Sequence, residues 1–139
     1  MNIKALTNLL ADNFVVYTKA HGYHFNVVGP DFYQYHKLFG KVYEYLYEQH
    51  DMLGELIRQH GFKVPTGMKD LCELTVLNCD VKDLEAMAMN KQLVGDLKAL
   101  AITANSLYNS CKDPATETLI GEYAAGINKL RWFLESTIK

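Results

Sequence analysis

The sequence is poor in residues that interrupt helices and in residues that imply a specialised class. Only 3 of its 139 residues are proline, at positions 30, 65 and 114. Each falls where the apolar pattern also breaks, so long helices are left undisturbed between them. Cysteine is nearly as scarce. Cys72, Cys79 and Cys111 show no CxxC or zinc-finger spacing, and an odd, scattered set suits a reducing cytoplasm, where thiols act as small core hydrophobes. Neither sign of charge dominates: 14 basic residues face 16 acidic ones for a net charge of -2. No strong pull on nucleic acid or a membrane surface is therefore built in. No apolar run is long enough to span a bilayer. The segment from Met1 to Leu10 lacks the basic region, continuous apolar core and small-residue site of a signal peptide. There is no internal repeat and no low-complexity segment, and the length favours one domain over 1–139 with a real core.

What is present reads as helix throughout. Leu6, Leu9, Leu10, Asn13, Phe14 and Tyr17 trace one stripe at helical spacing and predict a first helix from about Ile3 to Phe25. Gly29-Pro30 marks a turn. A second helix follows from about Asp31 to Gln59, with Gly61 as its C-terminal cap. Residues 62–78 contain Pro65, Gly67 and a short apolar stretch, Leu71 to Leu77, and read as a crossover with one short helix. Asp80 and Asp83 fit the N-cap and N3 positions of a third helix ending near Ser110. Asp113-Pro114, an acidic cap with proline at N1, starts a fourth helix that runs to the C-terminus. Four long helices with one long crossover between the second and third describe an all-α, ferritin-like four-helix bundle. The second helix carries Phe32, Tyr33, Tyr35, Phe39, Tyr43, Tyr45 and Tyr47 around most of its circumference. A helix apolar nearly all round is covered on several sides, which predicts a subunit interface on its outer face.

The chemistry lies in His24, His36, Asp51 and Glu55. Imidazole nitrogens and carboxylate oxygens are the donors that suit Fe(II). Asp51 and Glu55 are four apart and share one helix face. His36 lies fifteen residues before Asp51, about 22 Å along a continuous helix at ~1.5 Å per residue. One metal cannot be reached by both from one chain. If the four share a metal, a second copy must supply half the ligands, so the constellation implies an iron site and a symmetric dimer together. His21 shares a face with His24 and suits a supporting role. His50 and His60 read as surface or cap residues, Arg58 as an ion-pair partner of Glu55, and Met52, Met68, Met87 and Met89 as core or crossover filler. Trp132 reads as a packing anchor.

The run His21-Gly-Tyr-His24-Phe25-Asn-Val-Val-Gly29-Pro-Asp-Phe32-x3-His36, followed by Asp51-x3-Glu55, resembles the signature of the Dps family, the mini-ferritins named as DNA-binding proteins from starved cells. Arg131 to Ser136 is similar to the family's ending. The resemblance covers essentially the whole chain. It implies a hollow dodecamer of tetrahedral symmetry that oxidises Fe(II), preferably with hydrogen peroxide, at sites between twofold-related subunits, and stores ferric mineral inside. By motif position His24 and His36 are ligands from one chain, with Asp51 and Glu55 from its partner.

The sequence departs from the family at several positions. Gly40 stands four residues after His36, where the family usually has an acid, leaving water or Glu44 to serve the second iron position. Phe25 replaces the usual tryptophan; Tyr23, Tyr43 and Tyr47 are the candidate substitutes as a radical sink. Gly126 and Asn128 stand where pore acids are common, leaving Glu117 and Glu122 as pore candidates or as acids at the start of the helix. No lysine-rich cluster is evident, so little DNA binding is expected. The competing reading is a structural cage or binding scaffold with a degenerate metal site, Gly40 being its argument. An intra-subunit di-iron enzyme needs paired E-x-x-H motifs, and the chain has none.

Overall fold

The computed structural model describes residues 2–139. Helix α1 (Ile3–Asn26), helix α2 (Phe32–Gln59), short helix α3 (Met68–Leu74), helix α4 (Ala86–Ser110) and helix α5 (Pro114–Thr137) follow in chain order. There is no strand among the described residues. α1 packs on α2 and α4 on α5; the two hairpins meet through α1 on α4 and α2 on α5. This is the all-α, ferritin-like bundle with its crossover between the second and third long helices.

The helix ends follow local chemistry. Asn2 caps α1, its side chain accepting from the Ala5 N–H at 3.1 Å. α2 ends in a Schellman motif: Gly61 has φ +87°, its N–H reaches the Arg58 carbonyl at 2.9 Å, and the Phe62 N–H reaches Ile57 at 3.3 Å. Asp113 stands at the N-cap of α5 as expected, and its carboxylate accepts the Thr116 hydroxyl at 2.7 Å.

The expected start of the third long helix is corrected. It begins at Ala86, not at Asp80, with Glu85 at its N-cap. Asp80 is drawn into an Asx turn instead, its N–H donating to the Asn78 side chain at 3.0 Å. The chain before it is pinned to α1: the Thr75 hydroxyl and the Val76 N–H (3.0 Å) both donate to Asp12. The short helix expected in the crossover is α3, over Met68–Leu74. Cys72 and Cys79 are not core hydrophobes. They lie on the exposed crossover with Cα atoms 6.3 Å apart and form a disulfide, within the usual span for one. Cys111 is free and buried, as expected. Of the methionines, Met89 is buried and Met52 half-buried, but Met68 and Met87 are exposed. Trp132 does not anchor the core; it is 60% exposed.

The interior is crossed by a few polar links. The Tyr123 hydroxyl donates to Asn13 at 2.9 Å, and the Asn13 amide donates to the Leu46 carbonyl at 2.8 Å. These fix α1, α2 and α5 to one another. Lys19 on α1 meets Asp96 on α4 at 3.2 Å in a buried ion pair. Gly126 has a packing role: a methyl there would overlap the Tyr45 hydroxyl, which donates to the Tyr123 carbonyl at 3.1 Å. Tyr45 from α2 therefore docks directly on the α5 backbone, and burial pushes its phenol up to about 12.

Asp12 gives a pH prediction. Burial pushes its carboxyl up, against the hydrogen bonds from Thr75 and Val76; nearby Asp96 adds to the rise. A carboxyl whose folded value exceeds its unfolded one binds protons more tightly when folded, so stability falls as pH rises through that window. Asp12→Asn keeps an acceptor for Thr75 and Val76 but cannot ionise. It should gain stability over the wild type as pH rises from about 4 toward neutrality. Urea midpoints of both proteins across that range measure the gap; a gap that ignores pH would contradict the assignment.

Candidate metal site

His24 lies in the last turn of α1 and His36 in the second turn of α2, on either side of the turn around Gly29. The structure brings them together. Their rings stack with centroids 3.8 Å apart and planes 18° from parallel. Each donates from Nδ1 to the other's backbone carbonyl, both at 2.7 Å. A carbonyl only accepts, so both Nδ1 atoms carry a proton, and in the neutral imidazole the lone pair is then on Nε2. Metal-binding imidazoles are commonly held by such a bond from the other nitrogen.

His21 does not perform that supporting role. Its Nδ1 faces the Tyr17 hydroxyl at 3.3 Å, and its ring stacks on Tyr43 at 4.1 Å and on Phe25 at 4.5 Å.

Gly40 is buried beside this pair. A methyl built on it would stand 3.2 Å from His24 Nδ1, closer than most such contacts. The absent side chain is therefore what lets the His24 ring settle on α2. Gly40, His24, His36 and Glu44 line an open cleft of about 400 Å³, together with Lys37 and Lys41. Sequence reasoning singled out Glu44 but missed the two lysines that flank it.

Asp51 and Glu55 stand exposed one turn apart on the far part of α2. Glu55 is pushed up by a hydrogen bond with Asp51 and by its charge. Carboxylate oxygens one turn apart on a helix face are donors of the type that hard cations take. α2 is continuous from His36 to Asp51, so about 22 Å of helix separates the histidine pair from the carboxylate pair at ~1.5 Å per residue. Among the described residues, no three His, Cys, Asp or Glu side chains converge on one point. Arg58 does not pair with Glu55; its guanidinium donates to the Phe62 carbonyl at 3.0 Å. His60 is the C-cap residue of α2 and meets Thr116 at 3.3 Å.

His50 is half-buried. Its Nδ1 is buried without a partner, and burial pushes its imidazole down, opposed by nearby Asp51. Its ring packs on Phe14 at 5.2 Å. From there rings continue along the α1–α2 groove: Phe14 to Tyr17 at 5.8 Å, Tyr17 to His21 at 5.6 Å, then Tyr43 to His24 at 5.1 Å. The signal was in the sequence. Phe14, Tyr17, His21 and Phe25 recur every three or four residues on α1, as do Tyr43, Tyr47 and His50 on α2.

A family model for the ferritin-like domain matches residues 3–139. The DNA protection during starvation protein of Helicobacter pylori is 30% identical over 135 residues, 94% of each chain. The protein of that name from Brevibacillus brevis is 28% identical over 145 residues, 99% of this chain and 95% of its own. Among solved structures, antigen TpF1 from Treponema pallidum superposes with a TM-score of 0.93 at 23% identity, covering 99% of this chain and 90% of its own. Dps from Staphylococcus aureus gives 0.91 at 23% identity, covering 99% and 94%. No helix is long and apolar enough to cross a membrane among the described residues.

Proposed function

The chain belongs to the Dps family of ferritin-like proteins, and from that premise we propose that it oxidises Fe(II) and stores the ferric product in a hollow cage of like subunits. The observation that carries this reading is the locked histidine pair. The His24 and His36 rings stack at 3.8 Å with each Nδ1 held by the other's carbonyl, so that Nε2 of the neutral imidazole is the nitrogen left for a metal, while the matching carboxylates lie far along the same helix. A twofold partner solves the separation. His24 and His36 of one subunit then face Asp51 and Glu55 of the partner subunit, two equivalent sites form per dimer, and the exposed tyrosines of α2 are covered. Six such dimers make the dodecamer the family resemblance implies, each subunit a single domain over 1–139.

Fe(II) is the substrate. Imidazoles bind it as it arrives, and the carboxylates stabilise Fe(III) as it forms. With hydrogen peroxide as oxidant, two Fe(II), one peroxide and two protons give two Fe(III) and two waters. Peroxide and iron are removed together, which limits their radical chemistry in the cytoplasm. Glu117 in the first turn of α5 and the exposed Glu122 are the candidate cations' guides at the threefold pores. With a net charge of -2, the cage surface offers DNA phosphates little attraction, and a gel shift at low salt should leave DNA unretarded.

The test adds Fe(II) to the assembled protein without oxygen, then peroxide, and follows peroxide loss and soluble ferric iron sedimenting with protein. Fast loss with retained iron is expected. Loss at the buffer rate, with iron precipitating outside, would instead support a scaffold whose metal site has decayed at Gly40.

A further inference from the structure

The crossover between α2 and α4 carries a reactive pair that the iron site does not use. Cys72 is exposed on α3, and Cys79, seven residues on, is half-buried. Both line an open cleft of about 340 Å³ between α1 and α3, together with Lys69 and Phe14. A molecule as small as hydrogen peroxide can reach either sulfur there. Cys111 differs: it is buried and has no cysteine partner.

The two sulfurs are brought together by more than the bond between them. Leu71, next to Cys72, is buried in the core. The Thr75 hydroxyl and the Val76 N–H are held by Asp12 on α1. The Leu77 N–H donates to the Thr75 hydroxyl at 3.1 Å, and the Asp80 N–H to the Asn78 side chain at 3.0 Å. These contacts fix the chain before, between and after the cysteines, and none of them needs the disulfide. With the bond open, the thiols still face each other, so closing it is a step within one ordered segment. The folding benefit of a bridge grows with the loop it closes. A separation of seven residues in a segment already anchored leaves little to gain. An exposed bridge is also of the kind that thiols reopen.

We propose that Cys72 and Cys79 form a second peroxide-reducing site, independent of iron, whose substrate is hydrogen peroxide and whose electrons come from a dithiol. Cys72, the more exposed, reacts first. Its thiolate attacks one peroxide oxygen: the S–O bond forms, the O–O bond breaks, and hydroxide leaves to become water with the proton the thiol lost. Lys69, one turn before Cys72 on α3, brings positive charge to the cleft where that thiolate forms. The Cys79 thiolate then attacks the sulfur of the Cys72 sulfenic acid. The S–S bond forms, the S–O bond breaks, and a second hydroxide leaves as water with the Cys79 proton. Two thiols and one peroxide give one disulfide and two waters. A dithiol reopens the bond by exchange and is itself oxidised to a disulfide. The cycle removes peroxide when no Fe(II) is at hand.

The experiment uses the assembled full chain, free of iron and with a chelator present. It is reduced with dithiothreitol, freed of it, and mixed with hydrogen peroxide without oxygen. One peroxide and two thiols should be lost per chain, faster than with the same concentration of free cysteine. Peptide mass spectrometry should then find Cys72 joined to Cys79 and Cys111 still reduced. With dithiothreitol in excess, peroxide loss should continue above the dithiothreitol background. Cys72→Ser should abolish both effects. Cys79→Ser should stop at a Cys72 sulfenic acid that dimedone traps in the variant and not in the wild type, a signature that a merely structural bridge would not give. The assembled mass of each variant checks that the cage survives. A disulfide that dithiothreitol cannot open in the folded cage would overturn the inference. So would wild-type peroxide loss no faster than with free cysteine. Because no iron is present, either result leaves the iron chemistry proposed above standing.

Discussion

Replacing His24 or Asp51 by alanine should each bring peroxide-driven Fe(II) oxidation to the rate of iron in buffer. The two residues lie in different half-sites, and their losses act differently. His24→Ala removes one imidazole and the ring stacked on His36 at 3.8 Å, while the His24 backbone carbonyl that accepts from His36 Nδ1 stays in place. Asp51→Ala removes one carboxylate and the group that raises Glu55. Losing a residue that merely supports a metal ligand typically costs ~10–100-fold, so losing a ligand should exceed the upper end of that range. Asp51 is exposed and His24 half-buried; the assembled mass of each variant checks that folding is intact. Activity within a few-fold of wild type in either would contradict its role as a ligand.

Lys19→Met should produce the largest loss of stability. Lys19 and Asp96 are 3% and 7% exposed at their side chains, and they join α1 to α4 across the bundle. Removing the ammonium leaves a buried carboxylate whose remaining partner is Gln92 at 3.2 Å. Uncompensated buried charges of this kind cost about 3–5 kcal/mol. The phenol of Tyr23, pushed up by burial and by Asp96, also lies in that field. Replacing both partners, Lys19→Met with Asp96→Leu, should recover most of the loss, because a well-packed apolar pair needs no desolvation of charge. Urea unfolding at fixed protein concentration measures both, the concentration being held because subunit association adds to apparent stability. A loss below about 1 kcal/mol in Lys19→Met would mean the carboxylate finds water or another donor.

The helices were legible because periodicity and punctuation agree. Leu6, Leu9 and Leu10 are fully buried as their spacing requires, and Gly61 ends α2 in the left-handed conformation that glycine favours. The start of α4 was not legible. Asp80 and Asp83 look like capping acids, but the segment's hydrogen bonds go to Asn78 and to Asp12, which is more than sixty residues away. The disulfide was hidden for a similar reason. Spacing alone cannot tell that the crossover turns Cys79 back to Cys72.

At the candidate site, residue types and reach lead to the expectation of four side chains shared between two chains; the fold stacks His24 on His36 and leaves Asp51 and Glu55 one turn apart on α2. The reciprocal His24–His36 bonds could not be read, since they depend on the turn at Gly29 and on the bare backbone of Gly40. In the sequence Gly40 is a missing ligand; in the fold it is also the space into which His24 fits. Gly126 teaches the same lesson. It stands where a pore acid was expected, and the structure fills that place with the Tyr45 hydroxyl.

The central claim is that each iron site is built from two chains, and co-assembly of the two inactive variants tests it most directly. His24→Ala and Asp51→Ala subunits, co-expressed in equal amounts, should form cages in which about a quarter of the sites combine an intact histidine pair with an intact carboxylate pair. Peroxide-driven iron oxidation should recover to about that fraction of wild type. If verified mixed cages stay as inactive as either variant alone, the sites are not shared between subunits and the account is wrong.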